Sequence, residues 1–87
     1  MPTPAIEIYT KDWCGYCHAA KQLLTRLGHS YTEFDVTRDT ALYSQMQARA
    51  PGSRTVPQIF IDGRAVGGYT DLVALVQRGE FGAVELD

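Results

Sequence analysis

Cysteine is scarce in this sequence, with two residues, Cys14 and Cys17, among 87. A secreted mini-protein stapled by disulfides carries more of them. Two cysteines separated by two residues read instead as a redox pair or as half a metal site. Long apolar runs are also missing; none approaches the roughly 20 residues of a membrane-spanning helix. Neither sign of charge dominates, with 8 Lys plus Arg against 10 Asp plus Glu and a formal net charge of −2. The basic residues are scattered, which argues against nucleic acid as a partner, since that needs a clustered basic face. The opening Met1-Pro2-Thr3-Pro4 lacks the basic start and apolar stretch of a signal peptide. The cytosol is the expected compartment, where thiols stay reduced unless they are catalytic. Repeats, linkers and low-complexity segments are absent.

What is present is enough for one small α/β domain, since 45% of the residues are apolar. The domain is expected to fill 1–87, with a core over about 5–78 and a tail over 79–87. Ala5-Ile6-Glu7-Ile8-Tyr9 reads as a strand. Thr10 to Trp13 read as a loop. From Gly15 or Tyr16 the spacing turns helical, with Ala20, Leu23, Leu24 and Leu27 on one face and Lys21, Gln22 and Arg26 on the other. Gly28 sits where a left-handed stop belongs. Tyr31 to Val36 reads as a second strand. Asp39 or Thr40 can cap a second helix, carried by Leu42, Tyr43 and Met46 and closed near Ala50 by Pro51-Gly52. Gln58 to Ile61 reads as a third strand. Asp62-Gly63 is a hairpin turn, and Arg64-Ala65-Val66 is the returning strand. After Gly67-Gly68-Tyr69, Thr70 is the expected cap of a last helix with Leu72, Leu75 and Val76 buried and Gly79 ending it. The tail from Glu80 reads as irregular or a short helical turn. A parallel strand–helix–strand unit is thus followed by a hairpin and a helix. A four-stranded mixed sheet with three helices on its two faces would bury every apolar stripe.

The two cysteines lie at the switch from first strand to first helix. A helix N-terminus offers free N–H groups and a positive dipole end, which favour an ionised sulfur. Lys11 adds positive charge three residues earlier. Cys14 is expected at the exposed helix edge and Cys17 one turn in, so Cys14 attacks and Cys17 resolves. Other readings exist. The pair could be small buried residues. Cys14-Gly15-Tyr16-Cys17-His18 fits the haem c attachment pattern, although that chemistry normally needs export. A zinc site would need Cys14, Cys17, His18 and His29 together, with His29 beyond the helix stop.

Three segments together resemble a bacterial glutaredoxin. They are Tyr9-Thr10-Lys11 leading to Cys14-Gly15-Tyr16-Cys17, then Thr55-Val56-Pro57-Gln58-Ile59-Phe60-Ile61, then Gly67-Gly68-Tyr69-Thr70-Asp71-Leu72. The resemblance covers residues 5 to 78 and implies a thioredoxin-like fold with a glutathione groove beside Cys14. It implies that Lys11 pairs with the glycine carboxylate of glutathione and that Tyr16 walls the groove. It implies a cis Val56–Pro57 bond, presenting the Val56 backbone to the cysteine part of the tripeptide, flanked by Thr55. Gly68, Tyr69, Thr70 and Asp71 would meet the γ-glutamyl end, helix amides on its carboxylate and Asp71 on its ammonium. Against these stand plainer readings: a tight turn at Gly67-Gly68, a dipole-complementing acid at Asp71 and a solvated Lys11.

The implied activity is glutathione-dependent reduction of protein–glutathione mixed disulfides and protein disulfides. Client proteins would be partners, glutathione the co-substrate, and the chain a monomer. Two departures from the family pattern stand out. Gly15 replaces the proline that usually follows the nucleophile, and Thr70 stands where many members have an acid. Members with a small residue after the nucleophile sometimes hold a [2Fe–2S] cluster between two protomers, with Cys14 and glutathione as ligands; otherwise no metal is implied. A cluster carrier is thus one alternative. Trp13-Cys14-Gly15 resembles thioredoxin, and a reductase fed by a flavoprotein is the other.

Overall fold

A computed structural model of the chain describes residues 4–79. The elements run β1 (Ile6–Thr10), α1 (Gly15–Arg26), β2 (Thr32–Asp35), α2 (Thr40–Arg49), β3 (Gln58–Ile61), β4 (Arg64–Gly67) and α3 (Tyr69–Gln77). The sheet order is β2-β1-β3-β4. β1 pairs with β2 in parallel, and β3 runs antiparallel to both its neighbours. The expected mixed sheet with three helices is what forms. The expectation for the tail from Glu80 lies outside the described residues.

Side chains alternate between the faces of a strand, and this alternation sets the layers. On one face Ile6, Ile8 and Ile59 pack with Ala20, Leu24 and Leu27 along α1 and with Leu72 of α3. On the other, Tyr9 and Phe60 pack with Val36 and with Met46 of α2. Burying one such large side chain contributes about 1.5–3 kcal/mol. An exposed ion pair such as Arg38–Asp12, at 3.3 Å, contributes about 0–1 kcal/mol. The apolar layers therefore hold α1 against the sheet.

The α2 face adds a partly buried polar lock. Arg49 donates to Glu7 Oε1 at 2.7 Å and to the Tyr9 hydroxyl at 2.9 Å. Its guanidinium lies 4.0 Å from the Phe60 ring centroid. The Tyr9 hydroxyl in turn donates to Gln45. The hairpin is pinned to the start of β1, since Ala5 N–H donates to Asp62 Oδ1 at 2.9 Å and Asp62 N–H to the Ala5 carbonyl at 2.8 Å. Asp62 and Gly63 both have positive φ, at 52° and 80°, as a twist-matched two-residue turn needs.

Several boundaries differ from the expectation. Thr10 is not in a loop; it ends β1 opposite Asp35, and its buried hydroxyl donates to Glu33 at 2.6 Å. β2 is shorter than Tyr31 to Val36, although Val36 N–H still reaches the Thr10 carbonyl at 2.9 Å. Asp39, rather than Thr40, caps α2, accepting the Leu42 N–H at 3.0 Å. Thr70 does not cap α3. Gly68 is the N-cap, and its N–H donates back to the Asp71 carboxylate at 2.9 Å. An acid three residues past the cap closes the turn without a capping hydroxyl. β4 runs on to Gly67, where a bulge between Ile59 and Phe60 resets the pairing.

Arg49→Ala is expected to cost about 1–3 kcal/mol, from its charged hydrogen bonds and its ring contact. Urea denaturation measures this, and an unchanged midpoint would show the cluster to be decorative.

Candidate active site

Helix α1 begins one residue after Cys14, which is its N-cap in extended conformation, φ −113° and ψ 106°. The Cys17 backbone N–H donates to Cys14 Sγ at 3.2 Å. His18 N–H closes the same turn on the Cys14 carbonyl at 3.1 Å. From the other side the Cys14 thiol reaches the Val56 carbonyl at 3.8 Å. Both cysteines are free thiols, Cys14 half-exposed and Cys17 only 2% exposed. Burial, and then the hydrogen bond with Cys14, push the Cys17 thiol up to about 12. The expected asymmetry of depth is therefore present. Just before Cys14 the backbone turns through Trp13 at φ 59°, left-handed for a bulky residue, and the indole is fully exposed.

A groove of about 380 Å³ opens beside this turn, lined by Tyr16, Thr55, Val56, Pro57, Gly68, Tyr69 and Thr70. The Val56–Pro57 bond is cis. The Tyr16 and Tyr69 rings stack with centroids 6.0 Å apart and planes at 27°. Seven of the nine binding residues expected from sequence thus share one groove. The other two do not line it. Lys11 lines a second cavity, around Cys14 and Cys17, with its ammonium 5.7 Å from the Tyr43 ring centroid. Asp71 lines a third cavity beside β4, and its carboxylate holds the Gly68 N–H. Sequence reading missed the Lys21–Glu33 ion pair, 2.9 Å, in the second cavity. The four-residue step from Cys17 to Lys21 signals that the two share one side of the helix, but Glu33 joins them only through the packing of β2.

An accessible sulfur at a helix N-terminus, a buried sulfur one turn behind it and an adjoining groove suit disulfide exchange. The comparisons agree with that chemistry. The family model for glutaredoxin matches residues 6–66. Glutaredoxin 3 of Escherichia coli K12 is 49% identical over 74 residues, covering 85% of this chain and 88% of that protein. The chain belongs to the glutaredoxin family. The solution structure of glutaredoxin from Brucella melitensis superposes with a TM-score of 0.79 at 40% identity, covering 94% of this chain and 88% of that one. The crystal structure of a buckwheat glutaredoxin–glutathione complex does so with a TM-score of 0.79 at 28% identity, covering 90% and 73%. The fold is thioredoxin-like, and this glutaredoxin is a thiol–disulfide oxidoreductase.

Among the described residues no three His, Cys, Asp or Glu side chains gather as a metal site. Cys14, Cys17, His18 and His29 therefore do not form the zinc set that the sequence left open. A cluster shared between protomers would draw on Cys14 as the one accessible thiol of each chain, since Cys17 is buried. No helix among the described residues is long and apolar enough to cross a membrane.

Two glycines at the site make contrasting predictions. Gly67 has φ 116°, and an added Cβ would lie 2.3 Å from Asp71 Oδ2. Gly67→Ala is expected to cost about 1–3 kcal/mol by chemical denaturation. Gly15 has open space around it and is the first helical residue, where proline fits. Gly15→Pro is expected to keep the fold and add about 0.4–1 kcal/mol. A reversed order of stabilities would contradict both readings.

Proposed function

We propose that this glutaredoxin works with glutathione, Cys14 being the nucleophile and Cys17 the resolving thiol. The observation that carries this is the Cys14 sulfur, half-exposed between the Cys17 N–H and the Val56 carbonyl at the head of the groove. The buckwheat relative's structure as a glutathione complex supports the choice of thiol. In the groove, Val56 offers its backbone to the cysteine part of the tripeptide, as a strand offers its edge. Thr55, Pro57 and Tyr16 flank that contact. At the far end the α3 amides after Gly68, with Tyr69 and Thr70, suit the γ-glutamyl carboxylate. Asp71 suits its ammonium, and Lys11 suits the glycine carboxylate from the neighbouring cavity.

The Cys14 thiolate attacks the glutathione sulfur of a glutathionylated protein, and the protein thiolate leaves. A second glutathione thiolate then attacks that sulfur, so that Cys14 is freed and glutathione disulfide departs. With a protein disulfide, Cys14 first forms a mixed disulfide with one client sulfur. Cys17 displaces the client from it, and glutathione reduces the resulting Cys14–Cys17 bond. We place this in the cytosol, with a monomer acting on glutathionylated and disulfide-bonded clients. Two scattered charge signs and one redox pair fit that setting.

Cys14→Ser is expected to abolish turnover of a glutathione mixed disulfide. Cys17→Ser is expected to keep that activity and lose reduction of protein disulfides. Mutants behaving the other way round would exchange the two roles. Lys11→Ala is expected to raise KM for glutathione about twofold to fivefold, the effect of losing one partly exposed charge contact. Steady-state kinetics with varied glutathione checks it, and an unmoved KM would remove Lys11 from the site.

A further inference from the structure

The dithiol route asks a buried thiol to become a nucleophile. Cys17 is 2% exposed, and burial raises its thiol far above the ordinary range. A hydrogen bond with the Lys11 backbone opposes this, and so does the charge of one side chain on the same helix. Lys21 stands four residues on, one helical turn further along the same side. Its Nζ donates to Glu33 Oε2 at 2.9 Å. The same oxygen accepts the hydroxyl of the buried Thr10 at 2.6 Å. The carboxylate is thereby held from β1 and holds the ammonium in turn. The hydrogen bond to Glu33 keeps Lys21 above the ordinary lysine range. Burial works against an ionised Glu33, but the hydrogen bonds from Thr10 and Lys21 keep its carboxyl below the usual range.

Cys17, Lys21, Glu33 and Thr10 line one open cavity of about 600 Å³. Its other charged or titratable side chains, besides Cys14, are Lys11, Asp12, His18 and Asp35. Three of these face elsewhere in part. Asp12 pairs with Arg38 at 3.3 Å, Asp35 accepts the Thr37 N–H at 2.8 Å, and Lys11 lies over Tyr43. From α3, which packs on α1, Asp71 and Arg78 line the separate cavity beside β4. Lys21 is thus the cation of the Cys17 cavity that an ion pair on the cavity wall holds.

We propose that Lys21, held by Glu33, is the counter-charge that supports the Cys17 sulfur as it attacks the mixed disulfide on Cys14. It is a positioning residue for the resolving step, and the inference rests on Cys17 being the resolving thiol. In that step the Cys17 proton passes to water in the cavity. The Cys17–Cys14 bond forms as the bond from Cys14 to the client breaks, and the client leaves as a thiolate carrying the electron pair. No other oxidant or reductant enters.

Reduced protein mixed with a substoichiometric aromatic disulfide, 5,5′-dithiobis(2-nitrobenzoate), separates the steps. Attack by Cys14 releases one coloured thiolate in a concentration-dependent phase. Closure by Cys17 releases the second in a concentration-independent phase. Lys21→Met is expected to lower the ratio of second to first rate constant about threefold. This is the net result of tenfold less thiolate per pKa unit and about threefold greater nucleophilicity of what remains. The pH profile of the second phase should move upward, and Lys21→Arg should restore it. Glu33→Gln, which keeps an acceptor but removes a negative charge, should raise the ratio. An unchanged ratio in Lys21→Met would overturn the proposal, as would slowing in both Lys21→Met and Glu33→Gln, which points to packing. A wild-type protein with no second phase would instead overturn the resolving role of Cys17, and the inference with it.

Discussion

The Cys17 N–H aimed at the Cys14 sulfur, 3.2 Å away, is the contact around which the molecule is arranged. It exists because α1 starts one residue after that sulfur and leaves its first N–H groups without helical partners. For the helix to start there, β1 must end at Thr10 and the chain must turn within four residues. The left-handed Trp13 accomplishes part of that turn. Holding the helix end in place then falls to Ala20 and Leu24, buried against Ile6, Ile8 and Ile59. The apolar packing of one sheet face thus positions a polar contact at its edge.

One helix gives two cysteines opposite environments. The first sits where the turn opens to solvent, and the second sits where the same turn meets the core. Burial, and then the hydrogen bond with Cys14, resist ionisation of the inner sulfur. A groove with Val56, Tyr16 and Tyr69 opens on one side of this turn, and a charged cavity with Lys21 and Glu33 reaches both sulfurs on the other.

One conformationally demanding residue stands beside the groove. Gly67 takes a φ that a side chain would resist, and the space its Cβ would fill belongs to the Asp71 carboxylate. That carboxylate caps α3, whose first turn forms the far wall of the groove. The tight turn at Gly67 and the cap from Asp71 together present the groove wall.

Local chemistry was written in the sequence. The spacing of Ala20, Leu24 and Leu27, the cap at Asp39, the Asp62-Gly63 turn and the strand-to-helix position of Cys14 each depend on residues within a few positions. Element order, sheet composition and the unequal depth of the two cysteines followed from those signals. Contacts between distant segments did not. Cys14 and Val56 are 42 residues apart, and Lys21 and Glu33 are 12 apart. Which strands lie side by side decided both. The same is true of Lys11, which lies over Tyr43 of α2 rather than in the groove. At Thr70 and Asp71 two local signals competed for one cap, and the geometry of the Gly67-Gly68 turn chose the carboxylate. Periodicity and capping encode the elements, because those interactions close within a turn or a strand. The placement of charges around the sulfurs is decided only when the sheet brings separate elements together.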